Sequence, residues 1–168
     1  RAWTMNELGA RQSQVYRDAA IAGYSFVTVV PGEGPDGESM PRIRPVSPRR
    51  MYAEWDDPYA DEFPIHAVQD LGGGRYRYFD DESIVEYRVE RRRDANGVEQ
   101  DHLVQVGSPV VHGAGVCPVV RFENLIDTEG RCVGEVEPYL DVAQRFDVTQ
   151  LDKMLVQRHN SVSYTHLR

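Results

Sequence analysis

Chemistry in this chain would have to begin with its histidines, cysteines and carboxylates. His112 and Cys117 lie five residues apart, with His102 upstream and Cys132 downstream. A structural zinc site wants four ligands, usually with two of them in a tight pair such as C-x-x-C. No such pair exists here, so the two thiols read as buried or idle small apolar groups. The carboxylates cluster at Asp56-Asp57, Asp61-Glu62 and Asp80-Asp81-Glu82. Paired carboxylates serve acid–base work or bind hard cations, calcium foremost. These clusters fall between strand-like stretches, where Asp more commonly hydrogen-bonds its own turn.

Two further stretches invite a ligand. The run 107–115 carries His112-Gly113-Ala114-Gly115. A phosphate-cradling loop needs a lysine and a hydroxyl at its end, opening a helix. Here Val116-Cys117-Pro118 follows and opens a strand, so the run reads as a loop needing tight backbone geometry. Arg91-Arg92-Arg93 abuts the Asn96-Gly97 turn. It reads as the solvated tip of a hairpin, with phosphate or an acidic neighbour as its functional alternative. No Ser-His-Asp, Cys-His or nucleophile-elbow pattern is present. The residues therefore assign no catalytic, cofactor-binding or metal site, and the chain reads as a non-enzyme.

The elements that would position these groups follow from periodicity. Leu8, Gln12, Val15, Ala19 and Ala22 recur at helical spacing, which predicts a helix over 2–23 that Gly23 stops. A strand over 24–30 follows, rich in β-branched and aromatic residues. Glycines and prolines make 31–41 a mobile loop. Short strands are expected at 42–46, 51–55, 65–69 and 75–79, the last two joined through Gly72-Gly73-Gly74. Strands at 83–92 and 102–106 flank Asn96-Gly97, a strong hairpin signal. An apolar strand at 116–122 precedes a long helix over 136–160. Leu140, Ala143, Val148, Leu151 and Leu155 share an arc of roughly 140° on that helix, while Val142 and Phe146 lie on another side. A helix apolar on two sides should touch more than one neighbour. The fold class is α+β: an N-terminal helix, an antiparallel β-meander of short strands and a long C-terminal helix.

Composition sets outer bounds. The 168 residues suffice for one domain, and 40% hydrophobic with 27% charged residues is ordinary globular usage. A formal net charge of -8 argues against a protein that grips nucleic acid through bulk positive charge. No apolar run approaches the roughly 18 residues that cross a bilayer. The first residues lack both an initiator Met and the apolar stretch of a signal peptide, so the true N-terminus is expected upstream. Two cysteines make no disulfide framework and suit a reducing compartment.

The linear pattern carries a resemblance. Trp3, Asn6, Leu8 and Ala10-Arg11-Gln12 lead through Ala20 and Gly23 into Phe26-Val27-Thr28-Val29. Then come Ile43-Arg44-Pro45-Val46-Ser47-Pro48-Arg49-Arg50-Met51-Tyr52-Ala53 and Asp56-Asp57-Pro58. Further on stand Gly115-Val116-Cys117-Pro118-Val119-Val120-Arg121-Phe122-Glu123-Asn124 and Gly134-Glu135-Val136-Glu137-Pro138-Tyr139-Leu140. Gln144-Arg145, Asp152-Lys153 and 157–161 complete it. In order and spacing this resembles the portal proteins of long-tailed bacteriophages, especially the branch found in phages of actinobacteria. Cys117 stands where that family more often has a plain apolar residue. Phe146-Asp147-Val148-Thr149 replaces a more polar, asparagine-containing turn.

The resemblance implies a structural subunit of a homo-oligomeric ring of about a dozen copies at one capsid vertex. It implies a conduit for DNA packaging and ejection and an attachment point for the large terminase subunit and head–tail connector proteins. Scaffold and major capsid proteins would be further partners. Double-stranded DNA would pass without sequence-specific binding, and no membrane would be involved. The location implied is the virion portal vertex, after assembly in the bacterial host cytoplasm. Residues 1–161 would form part of the wing region, with the channel-lining stem following. Residues 162–168 do not resemble the family and read as translated sequencing-adaptor sequence. Two alternatives stand beside this: another phage head or tail structural protein, and a metal-dependent hydrolase using the carboxylates from Asp56 to Glu62.

Overall fold

The computed structural model describes residues 1–93 and 98–163, the last four of them by backbone alone. It is α+β, with an N-terminal helical segment, antiparallel sheets and a C-terminal helix. The predicted first helix is in fact two, α1 (Ala2–Met5) and α2 (Leu8–Ala22). Glu7 breaks them apart in the left-handed region, at φ 53°. Beside it, Asn6 donates its side-chain amide to the carbonyls of Ala2 and Pro41, both at 2.9 Å. A short polar side chain that finds backbone partners of its own competes with helix continuation. Of the predicted apolar face, α2 buries Val15 and Ala19, while Gln12 and Ala22 stay exposed. Gly23 ends the helix as its spacing predicts, at φ 88°, with its N–H on the Ala19 carbonyl.

α2 packs on a three-stranded antiparallel sheet in which β1 (Tyr24–Val30) is central. Its neighbours are β2 (Arg42–Val46) and β8 (Val119–Glu123), the latter reached only after the whole meander. β1 is covered on both faces, which explains its continuous run of buried residues from Ser25 to Thr28. The segment 31–41, expected to be a mobile loop, folds back on itself instead. A bridge joins Glu33 to Ser39, and Gly34 N–H donates to the Glu38 carbonyl at 2.8 Å.

The meander is a five-stranded antiparallel sheet of β3 (Met51–Glu54), β4 (His66–Gly72), β5 (Arg75–Phe79), β6 (Ser83–Arg93) and β7 (Glu99–Val111), in that spatial order. β4 and β5 join at the expected glycine turn. β6 ends within one residue of its predicted end, whereas β7 runs well past both of its own, because it continues wherever β6 offers a ladder partner. The Asn96-Gly97 turn lies outside the described residues. A small hairpin of β9 (Leu125–Ile126) and β10 (Cys132–Val133) follows β8. The two larger sheets share one core of Phe26, Val46, Met51, Ala67, Phe79, Ile84, Cys117 and Val119. Burial between facing sheets is the main driving force available to such a layer pair.

A 3-10 turn at Glu137–Tyr139 opens the C-terminal helix α3 (Leu140–Ser163). The expectation that α3 packs on several neighbours is not met within this chain. Every side chain from 140 to 159 is exposed, apolar stripe included.

Candidate functional site

The predicted histidine and cysteine candidates do not converge. Cys117 is 1% exposed in the core and donates its thiol to the Phe79 carbonyl at 3.8 Å. Burial pushes that thiol up to about 12. Cys132 sits half-buried on β10, where burial and then Glu123 raise its pKa. His102 is exposed on β7. His112 accepts the Ala114 N–H at Nδ1 (3.2 Å), which leaves Nε2 to donate to the Asp80 carbonyl at 3.1 Å. Among the described residues no three metal-ligating side chains gather.

The carboxylates close turns. Asp57 Oδ1 accepts the N–H of Tyr59 at 2.9 Å and of Ala60 at 3.3 Å, and Asp61 Oδ2 accepts that of Asp57 at 2.8 Å. Asp80 Oδ1 accepts from Glu82 and Ser83. Asp127, which the sequence reading passed over, does the same for Glu129 and Arg131, both at 2.9 Å. These are Asx turns, a local backbone device.

One predicted stretch needs correction, and another gains detail. The run 107–115 is not one loop: Gly107 to Val111 belong to β7, and the loop begins at His112. Arg91-Arg92-Arg93 ends β6 beside the turn and is exposed, as the solvated-tip reading expects, but it carries ion pairs. Arg91 pairs with Asp101 at 3.3 Å and Arg93 with Glu99 at 3.2 Å, each directly across the ladder. Arg92 pairs with Glu90 at 3.0 Å on its own strand. Hydrogen bonds from Arg88 and then Arg92 hold the Glu90 carboxyl below its ordinary range. The basic run is thus neutralised within its own hairpin.

The broad surfaces are the remaining candidates. A cleft of about 640 Å³ opens between the sheets, with Arg42 and Arg44 from β2 facing the Arg77–Glu86 ion pair. Near β8, the Arg121 guanidinium lies over the Trp55 ring, 4.1 Å from its centroid, and donates to the Pro58 carbonyl at 3.2 Å. On the outer face of the meander, Val68, Tyr76, Tyr78, Tyr87 and Leu103 line an open trough of about 550 Å³. Register places these side chains together: Val68 opposes Tyr78, and Tyr76 opposes Tyr87. The period-2 alternation in Arg75-Tyr76-Arg77-Tyr78 carried that signal, but which face was wet needed the second sheet. Four of these five side chains are half-buried by their neighbours on the sheet, and only Leu103 is exposed, whereas every described side chain of α3 is exposed.

The family comparison gives these surfaces their context. The model of "Phage portal protein, SPP1 Gp6-like" matches residues 1–165. The chain belongs to that portal protein family. No curated protein sequence matches it. The portal family is a structural one, of phage virion components concerned with DNA packaging. It also implies a homo-oligomeric ring among other head proteins. Among the described residues no helix is long and apolar enough to cross a membrane.

Proposed function

We propose that this chain supplies the wing region of the portal subunit in a phage of the actinobacterial branch. The ring of about a dozen copies would stand at one capsid vertex. There it would form the conduit for DNA entry and exit and hold the large terminase subunit and later the connector proteins. Scaffold and major capsid proteins would surround it. The observation that carries this reading is the family match over nearly the whole chain. The net charge of -8 supports a conduit, since strong phosphate contacts would retard moving DNA. The neutralised arginine run in β6 points the same way. The portal segment is read as residues 1–161 and residues 162–168 as foreign sequence, although the family match runs on to residue 165.

Electron microscopy of the full-length gene product tests the proposal: rings with a central hole are expected. A product that stays monomeric, or a gene that stops soon after Ser161, would sink it.

A further inference from the structure

We propose that the cleft between the two larger sheets binds an acidic peptide, an extended segment with carboxylates at alternate positions. The inference goes beyond the portal reading and does not depend on it. Three arginines line the cleft, Arg42 and Arg44 from β2 and Arg77 from β5, against a single carboxylate, Glu86. Glu86 already serves Arg77, whose Nε donates to its Oε1 at 3.1 Å. Among the described residues Arg42 and Arg44 have no ion pair and no side-chain hydrogen bond, so two positive charges stand uncompensated in a chain of net charge -8. The Arg42 stem lies so close to Gly32 that a Cβ there would stand 2.5 Å from Arg42 Cγ. Between the arginines the floor is apolar, with Val46 and Ile84 buried. Low-dielectric walls focus the field of the charges that line a cleft, so these two draw an anion more strongly than they would on a flat surface.

Spacing and shape favour a peptide over nucleic acid. Arg42 and Arg44 alternate with Ile43, so they share one face of β2, about 7 Å apart. An extended peptide repeats its side chains at the same period, which sets two of its carboxylates opposite two guanidinium forks. Facing sheets stand about 10 Å apart, so a gap between them takes one extended chain. The major groove of a DNA duplex is by itself roughly 12 Å wide, and a duplex is therefore too thick to enter. Single-stranded nucleic acid is held by bases stacked on aromatic rings, and none of the residues lining the cleft is aromatic. Main-chain pairing to β2 is closed as well. Ile43 N–H donates to Asn6 Oδ1 at 2.9 Å, and Pro45 has no N–H to offer. Recognition is left to the arginine side chains. The intervening residues of the peptide would be apolar, because Val106 and Val110 line the cleft from β7 and both are exposed.

The test is fluorescence polarisation of the full-length gene product with fluorescein-labelled Glu-Val-Glu-Val-Glu. Saturable binding that weakens as salt is raised is expected. Arg42→Gln with Arg44→Gln should weaken it by at least about tenfold. Arg17→Gln with Arg145→Gln makes the same change of charge at exposed sites on α2 and α3, and should leave the affinity within about twofold. No saturable binding, equal loss in both double variants, or equal binding of Gln-Val-Gln-Val-Gln would overturn the proposal. So would tighter binding of an oligothymidylate that the cleft variant loses, since the cleft would then be a nucleic-acid site. Charge reversal is the second arm, because a gained affinity cannot come from misfolding. Arg42→Glu with Arg44→Glu should gain at least about tenfold over the parent for Lys-Val-Lys-Val-Lys, and no gain would overturn the proposal too.

Discussion

The side-chain oxygen of Asn6 accepts the backbone N–H of Ile43 at 2.9 Å, joining the break between α1 and α2 to the first ladder positions of β2. The same side chain donates to the carbonyls of Ala2 and Pro41. One amide thus ties three backbone segments together, and the Ile43 site is partly buried, so its loss is not made good by water.

Asn6→Ala is expected to destabilise the chain by about 1–3 kcal/mol, read as a lower urea midpoint with an unchanged slope. Asn6→Asp keeps the acceptor for Ile43 but sets a carboxylate against two carbonyls, and it should destabilise as well. A midpoint unmoved by either change would show that these bonds contribute nothing net.

Gly134 lies where α2 ends. A Cβ there would stand 2.2 Å from the Ile21 carbonyl oxygen, and one on Gly23 would stand 2.5 Å from that of Cys132. This close approach lets Glu135 N–H reach the Ala20 carbonyl at 2.7 Å, satisfying one of the acceptors that a helix end leaves open. Gly134→Ala should therefore destabilise by about 1–3 kcal/mol or more through backbone displacement. Gly9→Ala, inside α2 with only Trp3 Nε1 at 3.9 Å, should instead stabilise by about 0.5–1 kcal/mol. Thermal melts that shift in the same direction for both changes would contradict the model of close approach.

Cys117 makes a prediction about alkaline pH. Its folded-state pKa is raised to about 12 from an ordinary value near 9, so the folded protein holds the proton that the unfolded chain releases. The stability is fully present below pH 9 and falls as pH rises from 9 towards 12, by up to about 1.4 kcal/mol per pH unit. Cys117→Val, which removes the titrating group from an apolar site, should flatten that limb relative to the parent chain. Denaturant titrations at about pH 8, 9 and 10 read the difference. Equal alkaline slopes in both proteins would place the loss on other groups. Below pH 9, a thiol reagent should modify the half-buried Cys132 well before Cys117.

Periodicity located most elements because it reflects one-sided burial, which local residue order records. The apolar run of β1, the stop at Gly23 and the long α3 were legible in this way. The carboxylate turns were legible too, since an Asx turn involves only the next few N–H groups. The break at Glu7 was not, because it depends on Asn6 meeting Pro41 and Ile43 across the fold. The length of β7 was hidden for a similar reason. Glu99 and Asp101 read as polar turn residues until register sets them opposite Arg93 and Arg91.

By itself the sequence determined the fold class, the residues of the core strands and the family pattern, all of which reside in the order of apolar and turn-forming residues. Only the tertiary structure decided that β8 leaves the meander to pair with β1, that the arginine run is neutralised in its own hairpin, and that the described side chains of α3 are left exposed. Those outcomes depend on which surfaces of distant segments meet, and a one-dimensional pattern does not encode the partner of a face until the chain has closed around its core.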